Sequence, residues 1–153
     1  MINVCFICHG NICRSPMAEY LFKDMVNKRG LSDFISVESR ATSAEALNEG
    51  VYIETKKLLN AQGISCSDHI SKQFKEEDYD NYDYLIIMDS LNERNLFRII
   101  ESDPYNKVHK LLEYIGSDAD IADPWYTRDF DTTWNEINSG LKGFLEYLEN
   151  NVL

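Results

Sequence analysis

A largely apolar run, residues 2–7, leads without a break into the loop Cys8-His-Gly-Asn-Ile-Cys-Arg14, and Pro16 follows two residues later. The run is short and rich in β-forming residues, which predicts a buried strand of a parallel sheet. Proline suits the first turn of a helix, because its missing N–H would have no partner there. Together these parts predict a strand–loop–helix unit, with the loop at the carboxyl end of a sheet, where open α/β folds bind ligands.

Downstream, segments with the period of a strand alternate with segments with the period of a helix. This alternation predicts an α/β fold with an open, mainly parallel sheet and helices on both faces. No linker or repeat interrupts it, so residues 1–153 are expected to form one domain. The further strands are predicted at 34–42, 84–88 and 108–115, and the helices from Ser15 to Gly30, from Tyr52 to Gly63, from Ser90 and from Thr133.

Two of these helix starts carry a capping box, in which Ser or Thr stands three residues before Glu. Ser90 precedes Glu93, and Thr133 precedes Glu136. Ahead of the second box, residues 116–132 show no periodicity. A long irregular segment inside a compact domain is usually functional or disordered, so this segment is a candidate for part of the site.

The chain is acidic, since 26 Asp and Glu residues outweigh 15 Lys and Arg and give a net charge of −11. Such a charge repels nucleic acid and anionic membrane surfaces, so neither is expected as a partner. No apolar run approaches the roughly 20 residues that span a bilayer. Any anion that this chain recognises must be held by a local site that works against the global field.

Four cysteines, Cys5, Cys8, Cys13 and Cys66, are present. The N-terminus lacks the basic segment of a secretory signal, and disulfides are rare in the cytosol. We therefore expect a cytoplasmic protein whose thiols are reduced and either buried or reactive.

The backbone of the loop makes it a candidate anion site. Successive N–H groups of residues 9–14 can point inward as a nest, and the start of the following helix adds its positive dipole end. Gly10 supplies the freedom to take a positive φ, and Asn11 tolerates the left-handed region better than most residues.

Three side chains of the loop carry chemistry. Arg14 offers a planar fork that matches two oxygens of a tetrahedral anion. Cys8 stands six residues earlier, and a field that binds an anion also stabilises the thiolate, which is the nucleophilic form of cysteine. Ser15 can donate a hydrogen bond to the sulfur. The spacing predicts a nucleophile and an oxyanion clamp on opposite sides of one anion.

Three more motifs stand outside the loop: Asp123-Pro-Trp-Tyr126, His69-x3-Gln73 and Met88-Asp89. Together with Cys8-His-Gly-Asn-Ile-Cys-Arg-Ser-Pro-Met-Ala-Glu19, they resemble the low-molecular-weight protein tyrosine phosphatases over essentially the whole chain. The resemblance implies a four-stranded parallel sheet, flanked by helices, with a phosphate-binding loop after the first strand.

The resemblance also implies the hydrolysis of phosphotyrosine in proteins without metal or cofactor, by a monomer or a weak dimer. Cys8 would attack phosphorus while Arg14 and the loop amides hold the equatorial oxygens. Asp123 would protonate the departing phenol and then deprotonate the water that hydrolyses the phosphocysteine.

Other residues of the motifs are expected to support the loop or to line the cleft. Asn11, Ser15 and His69 would form the hydrogen-bond net that fixes the loop. Trp125 and Tyr126 would line the rim. The expected substrate-binding residues are His9, Gly10, Asn11, Ile12, Cys13, Ser15, Glu45, Trp125 and Tyr126.

Three other interpretations stay open. Thioredoxin-coupled arsenate reductases share the loop, but they relay oxidation through two further cysteines, and here only Cys66 lies beyond it. Protein-arginine phosphatases of the same superfamily tend to carry Thr where this chain has Ile12, and a small residue after Asp-Pro-Phe. A non-catalytic phosphopeptide-binding module has no need of both a nucleophile and an acid. Ile12 and the pair Trp125-Tyr126 favour phosphotyrosine.

Two residues depart from the family pattern. His9 replaces an apolar or small residue and adds a titratable group at the entrance. Glu45, aligned through Ala41-Thr42-Ser43, falls where many members place a bulky aromatic on the cleft wall. An acidic wall would favour peptides with basic residues near the phosphotyrosine, whereas a solvated Glu45 would have no such effect.

Cys13 stands five residues after Cys8 in the same tight loop. A disulfide between the two would trap an oxidised Cys8 before irreversible oxidation. Alternatively, Cys13 is a small side chain that fills the underside of the loop.

Overall fold

Strands and helices alternate along residues 1–153, all of which the computed structural model describes. The predicted single-domain α/β fold with a four-stranded parallel sheet is confirmed. The strands are β1 (Ile2–Cys8), β2 (Ile35–Ala41), β3 (Tyr84–Ile87) and β4 (Val108–Lys110), and the helices are α1 (Arg14–Lys28), α2 (Ile53–Ala61), α3 (Ser90–Ile100), α4 (Pro124–Thr127) and α5 (Phe130–Asn151).

Strand β1 lies inside the sheet, whose order is β2-β1-β3-β4. Its last residue, Cys8, is in register with Ala41 at the end of β2, and Ile7 is in register with Ile87 at the end of β3. Three carboxyl ends therefore meet at one edge of the sheet. The loop after Cys8 starts from the middle of that edge.

The alternation of side chains along β1 divides the core into two parts. Val4, Phe6 and Cys8 face the larger cluster, whereas Cys5 and Ile7 face the smaller one. In the larger cluster, the rings of Phe22 from α1 and Phe144 from α5 pack on Phe6, with centroids 5.6 and 6.3 Å away. Each fully buried aromatic side chain contributes about 1.5–3 kcal/mol to folding, so this packing holds α1, and with it the end of the loop, against the sheet.

The last helix buries an apolar stripe. Ile137, Leu141, Phe144, Leu145 and Leu148 are all buried. Helix α5 is 22 residues long, but its other face is polar. None of the helices combines the length and the apolar character that a bilayer crossing requires.

The predicted fourth strand, 108–115, is wrong beyond Lys110, because the chain turns into a short 3-10 helix at Leu111–Ile115. Leu111 and Leu112 are both buried in this 3-10 segment. Two glycines of α5 make room for this segment. A Cβ atom at Gly143 would lie 2.6 Å from the carbonyl oxygen of Tyr114.

Both predicted capping boxes are wrong in their first residue. The side chain of Asp89 caps α3 by accepting a hydrogen bond from the Asn92 amide at 2.7 Å, so that Ser90 is already helical. Helix α5 starts before Thr133, where Asp129 accepts from the Thr132 amide at 3.0 Å. Aspartate caps helices as well as Ser or Thr does, and here it stands earlier in the chain. The irregular segment 116–132 therefore contains α4 and the start of α5.

Gly143→Ala is expected to lower the free energy of unfolding by about 1–3 kcal/mol, because the new methyl group meets backbone that cannot move aside. Gly140→Ala is expected to cost less, since its Cβ meets the side chain of Leu111 and not backbone. Urea denaturation of both variants, with the exposed Lys142→Ala as control, measures the difference. Equal stability of Gly143→Ala and Lys142→Ala would contradict this account of the 3-10 segment.

Candidate active site

Polar hydrogens converge on the sulfur of Cys8. The backbone amides of Asn11 and Ser15 donate to Sγ from 3.3 and 3.4 Å, and the Ser15 hydroxyl lies 3.0 Å from it. Helix α1 begins at Arg14, so the sulfur also faces the positive end of a helix. Donors to a thiolate favour the ionised form. The donors that the sequence predicted around the Cys8 sulfur, the Ser15 hydroxyl among them, therefore surround it in the structure.

The loop amides can face inward because the loop carbonyls all bond outward. Each carbonyl of residues 9–12 accepts a hydrogen bond from a side chain or amide of a neighbouring segment, and this orientation exposes the N–H side of the loop to the centre. The pairs are Ser43 Oγ with His9 O (2.9 Å), Ser71 Oγ with Gly10 O (2.8 Å), His69 Nε2 with Asn11 O (2.8 Å) and Tyr52 N with Ile12 O (2.9 Å).

Asn11 holds the loop from beneath. Its φ of 59° lies in the left-handed region, as expected for Asn, whereas the expectation of a positive φ at Gly10 is wrong. The side-chain amide nitrogen of Asn11, Nδ2, donates to the hydroxyls of Ser15 at 2.7 Å and Ser39 at 2.8 Å. Its Oδ1 accepts from the Lys72 amide. One side chain therefore links the loop to α1, to β2 and to the segment after α2.

The predicted supporting net is larger than its three predicted members, Asn11, Ser15 and His69. The Ser39 hydroxyl donates to Glu19 Oε1 at 2.5 Å, and that oxygen lies 3.9 Å from Nδ1 of His69. Sequence reasoning assigned no role to Ser39 or Glu19. A signal was present for Ser39, because the alternation of β2 places this polar residue on the inward face.

Arg14 is a buried cation, with 2% of its side chain exposed. Its Nη1 donates to Asp89 Oδ2 at 2.6 Å and to the carbonyl of Ile121 at 2.8 Å, and its Nη2 lies 3.4 Å from Asp123 Oδ2. Burial by itself lowers the pKa of the guanidinium, but the negative charges of Cys8, Asp89 and Asp123 outweigh burial and raise it. Arg14 therefore stays charged, and its orientation is fixed.

Asp89 is a site residue to which the sequence assigned no role. One of its carboxylate oxygens caps α3 and the other holds Arg14. The signals available were the motif Met88-Asp89 and the position of Asp89, two residues after the buried strand β3 at the edge where Cys8 also lies.

Asp123 is brought to the loop from more than a hundred residues away. Its Oδ1 caps α4 by accepting from the Trp125 amide at 3.0 Å, which leaves Oδ2 on the side of Arg14. The side chain is 22% exposed, so solvent and ligand can reach it. The structure thus brings together Cys8, Arg14 and Asp123, the three residues that the sequence marked for chemistry.

These residues lie in a cleft of about 250 Å³. Trp125 and Tyr126 contribute aromatic rings to its lining, and Glu45, Ala46 and Glu49 line it as well. The full lining is Cys8, His9, Gly10, Ile12, Cys13, Arg14, Glu45, Ala46, Glu49, Asp123, Trp125 and Tyr126.

Two of the predicted substrate-binding residues do not line the cleft. Asn11 and Ser15 are fully buried behind the loop, because their side chains are used to hold the loop and the sulfur. Glu45 lines the cleft, and 75% of its side chain is exposed to solvent. Its Oε2 lies 2.8 Å from Nε2 of His9, whose Nδ1 is enclosed without a partner.

All four cysteines are free thiols. Burial raises the pKa of Cys13 to about 12, and the negative charges of Cys8 and Asp123 act in the same direction. Burial also raises the pKa of Cys5 and of Cys66. Cys8 is the one sulfur that accepts hydrogen bonds from backbone amides. Cys8 is therefore the one cysteine of the chain whose sulfur faces the hydrogen-bond donors of the loop.

An arginine phosphatase shares this architecture. The crystal structure of a Drosophila arginine phosphatase superposes with a TM-score of 0.86 at 28% identity, over 97% of this chain and 98% of that one. The fold by itself therefore does not distinguish an arginine phosphatase from a tyrosine phosphatase.

Two comparisons with tyrosine phosphatases cover nearly the whole chain. The low molecular weight protein-tyrosine-phosphatase YfkJ of Bacillus subtilis is 35% identical over 151 residues, which are 97% of each chain. Its crystal structure superposes with a TM-score of 0.96, over 100% of this chain and 98% of that one, at 34% identity. The phosphatase PtpA of Staphylococcus epidermidis is 36% identical over 149 residues, 97% of this chain and 94% of that protein.

The sequence model of the low molecular weight phosphotyrosine protein phosphatases matches residues 3–153. This match covers the loop, its supports and the distal aspartate described above. The chain therefore belongs to the low molecular weight protein-tyrosine-phosphatase family.

Proposed function

We propose that this protein hydrolyses phosphotyrosine in proteins through a phosphocysteine intermediate on Cys8. The observation that supports the proposal is the convergence of one sulfur, one guanidinium and one carboxyl group on a single cleft. The same three groups perform an in-line phosphoryl transfer with no further reactant than water.

In the first step, the Cys8 thiolate attacks phosphorus, and the S–P bond forms as the P–O bond to the tyrosine breaks. The phenolate that departs is a poor leaving group, so it takes a proton from Asp123 as it leaves. Arg14 has five N–H donors. Its bonds to Asp89 and Ile121 use two of them and leave others for the phosphate oxygens.

In the second step, Asp123 is ionised and deprotonates a water molecule that attacks phosphorus. The S–P bond breaks, phosphate leaves and the Cys8 thiolate returns. The Ser15 hydroxyl and the two loop amides bond to the sulfur, so they stabilise the thiolate as the leaving group of this step.

The cleft favours an aryl phosphate. Cys8 is almost fully buried at its bottom, so a long aromatic phosphate reaches the sulfur and a short alkyl phosphate does not. Trp125 and Tyr126 offer rings for the aromatic side chain. We propose phosphotyrosine-containing proteins as partners, action as a monomer in the cytoplasm, and no need of a metal ion or cofactor.

Cys8→Ser is expected to lower the rate of hydrolysis of a phosphotyrosine peptide by about 10³-fold or more. The reason is that a serine hydroxyl stays protonated in this site and is a weak nucleophile. Malachite-green detection of phosphate measures the loss, with Cys66→Ser as the matched control. Wild type is assayed in parallel with phosphoserine and phosphoarginine peptides, with EDTA, and with arsenate plus thioredoxin. Activity that survives Cys8→Ser, or that EDTA abolishes, contradicts the mechanism. If phosphoarginine or arsenate is turned over faster than phosphotyrosine, that compound and not phosphotyrosine is the substrate.

Asp123→Asn is expected to lower kcat/KM for phenyl phosphate by about 10²–10⁴-fold, the usual contribution of a general acid. Because the protonated carboxyl is lost as an acid, the alkaline limb of the pH–rate profile is expected to flatten. Asparagine is also a good helix cap, so α4 keeps its start. Asp129→Asn, at the cap of α5, is the matched control. If Asp123→Asn keeps the wild-type pH–rate profile, Asp123 is not the general acid.

Glu45→Gln is expected to reduce the preference for phosphopeptides with Lys or Arg beside the phosphotyrosine about two- to fivefold, the size of an exposed ion pair. The measurement is the ratio of kcat/KM for a basic and a neutral peptide at low salt. Glu113→Gln, whose carboxylate pairs with His109 in the same way, is the matched control. An unchanged ratio would mean that Glu45 is merely solvated.

A further inference from the structure

Arg128 holds a backbone conformation that normally belongs to glycine. It is the C-cap of α4, with φ 59° and ψ 13°. A left-handed residue at this position is usually Gly or Asn, because a side chain is strained there. Three of the four other non-glycine residues with positive φ are Asn11, Asn48 and Asn106, which tolerate the region. The arginine side chain must therefore make contacts that compensate for the strain.

Those contacts are made with Tyr52. The Nη2 of Arg128 donates to the Tyr52 hydroxyl at 2.7 Å, and the guanidinium carbon lies 5.3 Å from the centre of that ring. The rings of Trp125 and Phe130 lie 5.9 and 5.4 Å from the same carbon. Three aromatic rings around one cation form a cation–π cluster.

Tyr52 connects this cluster to the phosphate-binding loop. Its backbone amide donates to the carbonyl of Ile12 at 2.9 Å. Its ring packs edge-on against Trp125, with centroids 5.0 Å apart, and stacks on Phe130 at 5.8 Å. One residue is therefore bonded to the loop that carries Cys8 and packed on the segment that carries Asp123.

The segment with Asp123 is anchored before the aspartate, where Ile121 is buried and bonds to Met88 and Arg14, and has fewer supports after it. Helix α4 is one turn long, and Trp125 is about half exposed. Asp123 itself approaches the loop only through Arg14, at 3.4 Å. A hydrogen bond from Arg128 Nη1 to the Trp125 carbonyl at 3.4 Å ties the end of α4 to the cluster.

We propose that Tyr52 and Arg128 are positioning residues, which hold Asp123 over the phosphate-binding loop so that it can transfer its proton. This inference rests on the proposed acid role of Asp123. Neither residue touches the reacting atoms, and neither lines the cleft. Their loss affects the transfer of the proton and not the binding of phosphate.

The test is the dependence of kcat/KM on the leaving group. 4-Nitrophenol departs from phosphate with little help, whereas phenol needs the proton. Tyr52→Phe keeps the ring and the backbone bond to Ile12, and Arg128→Gly also relieves the backbone strain. Arg128→Gly is expected to lower kcat/KM about tenfold for phenyl phosphate and less than about twofold for 4-nitrophenyl phosphate. Tyr52→Phe is expected to act in the same direction and less strongly.

The double variant separates a shared contact from two independent effects. If both residues act through one contact, the double variant is expected to lose no more than Arg128→Gly alone. The proposal would be overturned if the fold-losses in kcat/KM of the two single variants multiply in the double variant. It would also be overturned if a variant loses equally on phenyl phosphate and 4-nitrophenyl phosphate. Thermal unfolding of Arg128→Gly is expected near the wild-type temperature, because the released strain and the lost contacts offset each other, so a kinetic loss is not a loss of folding.

Asn106→Gly and Tyr105→Phe are the matched controls, since they make the same kinds of change before β4, at the opposite edge of the sheet. Asp123→Asn separates the two levels of inference. If Asp123→Asn leaves the ratio of kcat/KM for 4-nitrophenyl phosphate to that for phenyl phosphate unchanged, the acid role of Asp123 itself fails. If it changes the ratio while Tyr52→Phe and Arg128→Gly do not, only the positioning role fails.

Discussion

The outward hydrogen bonds of the loop carbonyls are the constraint on which the site depends. A backbone segment that turns several N–H groups to one side must find partners for its carbonyls on the other. Ser43, Tyr52, His69 and Ser71 supply them. These residues come from the segments before and after α2, so the chain between β2 and β3 has to wrap around the loop. The long connection between two parallel strands thereby becomes the support of the anion site.

The buried guanidinium of Arg14 imposes a second constraint. An unpaired charge in the interior costs several kcal/mol, so partners must reach it. Asp89 arrives from the end of β3, and Ile121 and Asp123 from the segment before α5. Arg14 is therefore the one guanidinium in a cleft that Glu45, Glu49 and Asp123 also line, within a chain whose net charge is −11. This contrast makes anion recognition depend on the loop and not on long-range attraction.

Local features of the site were predictable where they depend on neighbours in the chain. The spacing of Cys8 and Arg14 in one strand–loop–helix unit determines their relation, and the left-handed Asn11 follows from its own side chain. Predictions failed where two residues compete for one role. Asp89 and Asp129 displaced Ser90 and Thr133 as helix caps. The fourth strand ended early because the glycines of α5 admit a 3-10 turn, which no local pattern of residues 108–115 indicates.

The sequence by itself determined the α/β fold, the strand–loop–helix unit and the placement of Cys8 and Arg14 in one loop, because these depend on periodicity and on contacts within a few residues. It also marked Asp123, through the motif around it. Only the tertiary structure decided that Asp89 holds Arg14 and that Arg128 bonds to Tyr52. These partners are 75 and 76 residues apart, and whether they meet depends on the strand order and on how each segment packs, which no local pattern encodes.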